Sequence, residues 1–280
     1  METIDQTAAH RAALCAYLQP LESAAVAFSG GVDSAVVAQA AFLALGERAI
    51  AVTGVSASLA SGELELARTI AAQIGIRHEV VSTAELARAG YVQNSPDRCY
   101  HCKTELYTKL TELAPRFGVS VLLNGANLDD LGDYRPGMRA AGEFRVYSPL
   151  ADCGLNKADV RELARYWNLP CADKPATPCL SSRIAYGEQV TPERLARIDQ
   201  AEVFLKELGL GEIRVRLHAG ELARIEVSLE VLSQLAQPDL REQITERLRS
   251  LGFRFVTLDL QGFRSGSLNS LLSISAKSAR

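Results

Sequence analysis

No apolar run in the 280 residues approaches the ~20 consecutive residues that a membrane-spanning helix needs. The segment Met1 to Arg11 is polar and holds Glu2 and Asp5, so it lacks the apolar stretch of a secretory signal, and a cytoplasmic protein is expected. An excess of positive charge is missing too: the formal net charge is −3, which gives no electrostatic footprint for nucleic acid and leaves room only for a local basic patch. Two common nucleotide signatures are absent. There is no GxGxxG, which argues against a dinucleotide-binding dehydrogenase, and no glycine-rich loop ends in Lys-Ser/Thr, which argues against a P-loop ATPase of that type. No internal repeat occurs. What remains, 48% hydrophobic and 22% charged residues, is the balance of a soluble globular protein with length enough for two domains.

The chain is organised around Ser29-Gly30-Gly31-Val32-Asp33-Ser34, which follows an apolar strand, Ala24 to Phe28, and opens a helix near Ser34. Adjacent glycines let successive N–H groups converge on one anion, and the helix start adds its partial positive charge and orphan donors. Ser29 and Ser34 supply hydroxyls, and Asp33 can brace the loop or hold a cation. The plain alternative is a tight turn in which Asp33 or Ser34 caps the helix.

Strands at Ala24 to Phe28, Ala49 to Val55, Arg77 to Ser82, Val119 to Leu123 and Val146 to Leu150 alternate with helices at Gln6 to Leu18, Ala35 to Leu45, Leu59 to Ile74 and Lys157 to Trp167. That alternation predicts an α/β fold, a parallel sheet with helices on both faces and ligands at the carboxyl ends of its strands. The same rule puts Gly125, Asp129 and Asp130 on the rim that carries the Ser29 loop. Asp129 and Asp130 suit Mg²⁺ against triphosphate oxygens, or a helix cap. Arg135, in a turn-rich loop, suits an anion or a solvated turn. From Thr191 the pattern becomes that of a small α+β domain of about 90 to 100 residues. It has a helix to Leu208, a hairpin of Glu212 to His218 and Leu222 to Leu229, helices near Glu230 to Ala236 and Asp239 to Leu251, and a strand Arg254 to Leu260. The expected domains are 1–183 and 184–280, with a serine-rich tail from Arg264.

Six cysteines in a reducing compartment read as thiols, ligands or redox groups before disulfides. Cys99 and Cys102 form a CxxC, open to metal or redox use or to two unconnected thiols; Cys179 stands in Pro-Cys-Leu-Ser-Ser-Arg. No second CxxC completes a zinc site. Three thiolates do match a [4Fe–4S] cluster with one iron lacking a protein ligand, able to hold an exogenous sulfide. Cys15, Cys153 and Cys171 read as structural. Arg214 and Arg216 alternate on one strand and so share a face, which suits a phosphate or a solvated edge. Arg183 suits an acyl-phosphate or the surface.

The glycine loop resembles that of the PP-loop ATP pyrophosphatases, which include GMP synthetase, NAD synthetase and the tRNA thiolases. Taken with Asn124 to Pro136, Ser148-Pro149-Leu150, Cys179 to Arg183 and Ile213-Arg214-Val215-Arg216, the chain is identified as resembling the LarE family of ATP-dependent sulfur transferases. The resemblance implies that ATP, with Mg²⁺, adenylates a carboxylate of pyridinium-3,5-biscarboxylic acid mononucleotide and that sulfur displaces AMP to leave a thiocarboxylate, for the nickel-pincer nucleotide of lactate racemase. It implies an ATP site at Ser29, Gly30, Gly31, Asp33, Ser34, Gly125 and Asp129, and a substrate phosphate on Arg214 and Arg216. In one branch of the family the cysteine matching Cys179 gives up its own sulfur; in another, two further cysteines carry a [4Fe–4S] cluster. Cys99 and Cys102 place this chain in the second branch, with a sulfide source and a homo-oligomer expected. Competing readings are a sacrificial Cys179, a tRNA thiolase, which the acidic balance disfavours, and an ATP-binding module without catalysis.

Overall fold

The computed structural model describes residues 2–132, 136–264 and 266–269; Arg135 and most of the serine-rich tail lie outside them. The chain divides into two compact units, one formed by Met1–Ser56, Gly62–Glu85 and Cys99–Thr177, the other by Ala57–Ser61, Leu86–Arg98 and Pro178–Arg280. The second unit thus includes two short segments from earlier in the chain as well as its C-terminal part.

The first unit is built on four parallel strands, β1 (Ala24–Ala27), β2 (Ala49–Val55), β3 (Arg77–Ser82) and β4 (Val121–Leu123), in the order β3-β2-β1-β4. Because side chains alternate across a strand, Ala24, Val26, Ala49 and Ala51 face one core and Ala25, Ile50 and Val52 the other. The first face is covered by α1 (Glu2–Leu18), α2 (Val32–Leu45), α3 (Glu63–Ile74) and, further along the chain, Val160 and Leu163. On the second face lie α4 (Arg98–Phe117) and α5 (Pro136–Glu143), through Tyr107, Leu110, Ala140 and Ala141. The α/β architecture with helices on both faces is therefore the one expected. A sixth helix, α6 (Lys157–Tyr166), starts from Asn156, whose side chain caps Asp159 N while Asp159 returns the bond.

Two expected elements are corrected. Residues 146–150 form no strand: Tyr147 makes one bridge to Leu123, and Pro149 then opens a single helical turn, as a residue without an N–H and with a helical φ does at the first position. The helix expected from Leu59 begins at Glu63, because Ser61 is held instead by Asp199, which accepts from its N–H at 3.0 Å and its hydroxyl at 2.5 Å.

In the second unit α7 (Pro192–Glu207) starts at the expected Thr191 cap, whose side chain accepts from Arg194 N. Strands β5 (Ile213–His218) and β6 (Leu222–Val227) form the antiparallel hairpin, and β7 (Phe255–Leu258) pairs parallel with β6; α8 (Pro238–Ser250) packs on β7 and α7. Ile213, Val215, Leu217, Ala223, Ile225 and Val227 are buried apolar residues on the sheet. Among the described residues no helix is long and apolar enough to cross a membrane.

His218 ends β5, and its Nε2 accepts from Arg224 Nε at 3.1 Å. Burial, then the Arg224 charge, pushes its pKa below the ordinary value. As pH falls the unfolded chain takes up the proton first, so this contribution to stability is complete above about pH 6.5 and is lost as pH falls towards the folded pKa. In urea titrations across that interval His218→Gln, which keeps an acceptor for Arg224, is expected to lose less stability than the parent protein; an equal loss would contradict the assignment.

Candidate active site

In the first unit the Ser29 loop is closed by its own serines. Ser34 Oγ donates to the Gly31 carbonyl at 3.0 Å and accepts from Ser29 N at 3.2 Å, while Ser29 Oγ accepts from Gly31 N at 3.3 Å. Gly30 has φ +71, and a Cβ there would stand 3.0 Å from Ala67 Cα, so α3 packs directly on the loop. Only glycine meets both demands at low cost. The first turn of α2, with its donors that lack intrahelical acceptors, opens immediately after Gly31.

Gly125 comes against that turn from the neighbouring strand end. A Cβ on it would lie 2.8 Å from Ser34 N and 3.0 Å from Asp33 C. The segment after it braces itself: Asn124 Oδ1 accepts from Ala126 N, Asn127 Oδ1 from Asp129 N, and Asp130 Oδ2 from Asn127 N. Asn127 Nδ2 donates to Asp33 Oδ1 at 3.0 Å, and Lys157 Nζ stands 2.5 Å from Asp33 Oδ2. The Lys157 backbone N–H donates to Asp129 Oδ2 at 2.9 Å. Ser29, Gly30, Gly31, Asp33, Ser34, Gly125 and Asp129 therefore meet in one place, with Asn127 and Lys157 added. Sequence reasoning missed these two. The available signal was a lysine at the first position of a helix, where the macrodipole disfavours a cation and some other partner must hold it.

Mg²⁺ binds through one or two carboxylates plus phosphate oxygens rather than through an all-protein cage. Asp33 and Asp129 fit that pattern, since both side chains already accept bonds from the same residue, Lys157. Asp130 is engaged with Asn127 N.

In the second unit Cys179 precedes a short turn, Leu180–Arg183. Its carbonyl accepts from Ser182 N at 3.0 Å and Ser182 Oγ at 2.7 Å. Arg183 is 1% exposed, which excludes the surface reading. Its Nε and Nη2 pair with the two oxygens of Glu202 at 3.0 and 3.2 Å, and Nη1 donates to the carbonyls of Pro178 at 2.5 Å and Cys179 at 3.2 Å. Glu202 also accepts from Val215 N. The guanidinium holds the backbone that carries Cys179.

Arg214 and Arg216 share a face of β5, as their alternation predicts, but neither is solvated. Arg216 Nε and Nη2 both donate to Glu226 Oε2 at 2.9 and 2.8 Å, and its Nη1 to Ser182 O at 3.2 Å. Glu226 is 0% exposed. Arg214 donates to Ile213 O at 2.7 Å and to Glu212 Oε1 at 3.1 Å, with its guanidinium 5.0 Å from the Phe263 ring centroid. Burial, then the charge of Arg183, pushes the Arg214 pKa down.

None of the six cysteines is in a disulfide. Cys99 is exposed and Cys102 partly so, three residues apart in the first turns of α4, and Cys179 is partly exposed in the second unit. Burial pushes the thiols of Cys15, Cys153 and Cys171 up, as expected of structural cysteines. Among the described residues no three His, Cys, Asp or Glu side chains form a group able to hold a metal ion. Of the three cysteines expected to hold iron, Cys99 and Cys102 belong to the first unit and Cys179 to the second.

Residues 12–116 match the family model for NAD synthase. The chain is 46% identical over 253 residues to an uncharacterized protein of Synechocystis, covering 90% of this chain and 94% of that one. It is 35% identical over 267 residues to the pyridinium-3,5-bisthiocarboxylic acid mononucleotide synthase of Lactiplantibacillus plantarum, covering 95% and 96%. Against the tRNA-specific 2-thiouridylase MnmA of Azorhizobium caulinodans it is 33% identical over 189 residues, covering 54% and 48%.

Gly125→Ala forces a methyl group into the backbone of Asp33 and Ser34, a kind of overpacking that costs about 1–3 kcal/mol. Titration with a non-hydrolysable ATP analogue is expected to show affinity reduced about tenfold or more. Unchanged affinity would contradict the placement of the nucleotide.

Proposed function

From membership of the pyridinium-3,5-bisthiocarboxylic acid mononucleotide synthase (LarE) family, to which this chain belongs, we propose that the protein is an ATP-dependent, adenylating sulfurtransferase acting on pyridinium-3,5-biscarboxylic acid mononucleotide. The observation that carries the reading is identity sustained over 95% of the chain, joined to a glycine loop whose bracing residues converge on Asp33. A ring carboxylate oxygen attacks the α-phosphorus of ATP and pyrophosphate leaves. Sulfur then attacks the acyl carbon, AMP departs with the original carboxylate oxygen, and a thiocarboxylate remains.

Each group has a task in that sequence. Backbone N–H groups of Gly30 and Gly31 and the hydroxyls of Ser29 and Ser34 receive the departing pyrophosphate. Asp33 and Asp129 would hold Mg²⁺, which would offset the charge of the phosphates, and Lys157, now on Asp33, would supply a cation for the same oxygens. The phosphate of the substrate goes to the Arg214 and Arg216 pair. Of the two, Arg214 changes partner at smaller cost, since Glu212 is 34% exposed and can return to water, whereas Glu226 is 0% exposed. Arg183 keeps Cys179 in a fixed attitude.

The sulfur store in this reading is a [4Fe–4S] cluster on Cys99, Cys102 and Cys179, which when bound would present an iron open to exogenous sulfide. The accessibility of these three thiols supports them as ligands. A second reading, sacrificial transfer from Cys179 itself, is supported by the partial exposure of that thiol on a turn whose carbonyl Arg183 holds. The protein works as a homo-oligomer in the cytoplasm, on a small nucleotide and not on RNA. A tRNA thiolase would need a basic surface that a net charge of −3 does not favour.

AMP and pyrophosphate are expected to appear only when the biscarboxylated pyridinium nucleotide is present, and not with tRNA. After anaerobic reconstitution with iron and sulfide, Cys99→Ala, Cys102→Ala and Cys179→Ala are each expected to end multiple turnover. If Cys99→Ala keeps full turnover, the cluster is excluded and the sacrificial route stands.

A further inference from the structure

A buried polar staple in the second unit joins the residues before Cys99 to the turn after Cys179. Tyr91, Asn94, Arg98 and Ser181 are 1%, 0%, 5% and 0% exposed. The hydroxyls of Tyr91 and Ser181 are 2.5 Å apart. Asn94, left-handed at φ 53, donates Nδ2 to the carbonyls of Ile184 at 3.2 Å and Ala185 at 2.8 Å. Arg98 Nη1 donates to Asn94 Oδ1 at 2.5 Å and to Ser181 O at 2.7 Å, with its guanidinium 5.9 Å from the Tyr186 ring centroid. A buried guanidinium is costly unless its donors find acceptors. Here one acceptor is the carbonyl two residues beyond Cys179.

The residue after Arg98 is Cys99, and the residue after that is anchored as well, within the first unit. Tyr100 donates its hydroxyl to Glu143 Oε2 at 2.8 Å, and the Arg139 guanidinium lies 3.8 Å over its ring. A Cβ on Gly137, near the start of α5, would come within 3.1 Å of Lys103 Cγ and 3.7 Å of the Cys99 carbonyl. In the first unit, then, the residue that follows the exposed Cys99 is anchored through its side chain. Support of a thiol-bearing turn by neighbouring groups, as Arg98 and Tyr91 give the turn after Cys179 within the second unit, is what preorganised chemistry requires.

We propose that Arg98 is a positioning residue for sulfur transfer: through Ser181 it fixes the turn that carries Cys179. This rests on the reading that this thiol serves sulfur transfer. Substrate adenylation, which belongs to the glycine loop, does not need it.

Arg98→Met and Arg98→Lys in the full chain test this, through substrate-dependent ATP–pyrophosphate exchange, thiocarboxylate formed per AMP, and iodoacetamide labelling rates of individual cysteines read by peptide mass. For Arg98→Met, exchange is expected to stay within about twofold while thiocarboxylate per AMP falls about tenfold, with partial recovery in Arg98→Lys. Labelling of Cys179 is expected to change at least about threefold while that of Cys15 does not, the sign of a displaced turn and not of global loosening. Unchanged thiocarboxylate yield and labelling, or exchange and transfer falling together, would overturn the proposal. Should Arg98→Met fail to fold, Tyr91→Phe removes only the hydroxyl on Ser181, and the same split in smaller measure is expected; its absence overturns the proposal equally. Failure of the unaltered protein to make thiocarboxylate would defeat the functional reading, whereas the Cys179 labelling comparison would still decide the role of Arg98.

Discussion

Asp33 is gripped from two sides, by the amide of Asn127 on one oxygen and the ammonium of Lys157 on the other. That grip braces the strand-to-helix turn expected to bind ATP. It requires three separate stretches to arrive together: the Ser29 loop, the segment after β4, and the first residue of α6. Gly125 permits the approach, because any side chain there would strike the backbone of the turn. The ion pair is half-exposed, with side-chain exposures of 35% and 26%, so its bond is weakened by water and can be exchanged. In the proposed function, where this place takes Mg²⁺ and phosphate, a contact of that strength can give way to them.

The second unit follows a different rule. Arg183 with Glu202 and Arg216 with Glu226 are almost wholly buried pairs, and such pairs contribute little net stability because desolvation offsets their attraction. Their value is geometric. Breaking one partner strands a charge, so the remaining hydrogen bonds hold Cys179 and its neighbours in a single arrangement. In the proposed function the half-exposed contact lies at the nucleotide and the buried pairs at Cys179, the residue expected to serve sulfur transfer.

The fold was legible where one rule decided the local outcome. The near-continuous apolar run of β2 marked a strand covered on both faces, and Thr191-Pro192 marked the start of α7. It was not legible where two rules competed: Val146 to Leu150 has the composition of a strand, yet Pro149 turns it into a helix, and residues 59–62 have helical periodicity, yet Asp199 draws Ser61 away. At the site, the loop residues and Gly125 could be found from their types. The burial of Arg183, Arg214 and Arg216 could not, because periodicity reports a shared face and says nothing of which carboxylate waits there. Lys157 was hidden for the same reason, since its partner lies 124 positions earlier in the chain.

The central claim is that a substrate carboxylate attacks the α-phosphorus of ATP, and oxygen labelling tests it most directly. With the pyridinium biscarboxylate enriched in oxygen-18 at its carboxylates, the account predicts AMP carrying one labelled oxygen for each thiocarboxylate formed. Unlabelled AMP, or ADP and phosphate in its place, would contradict it.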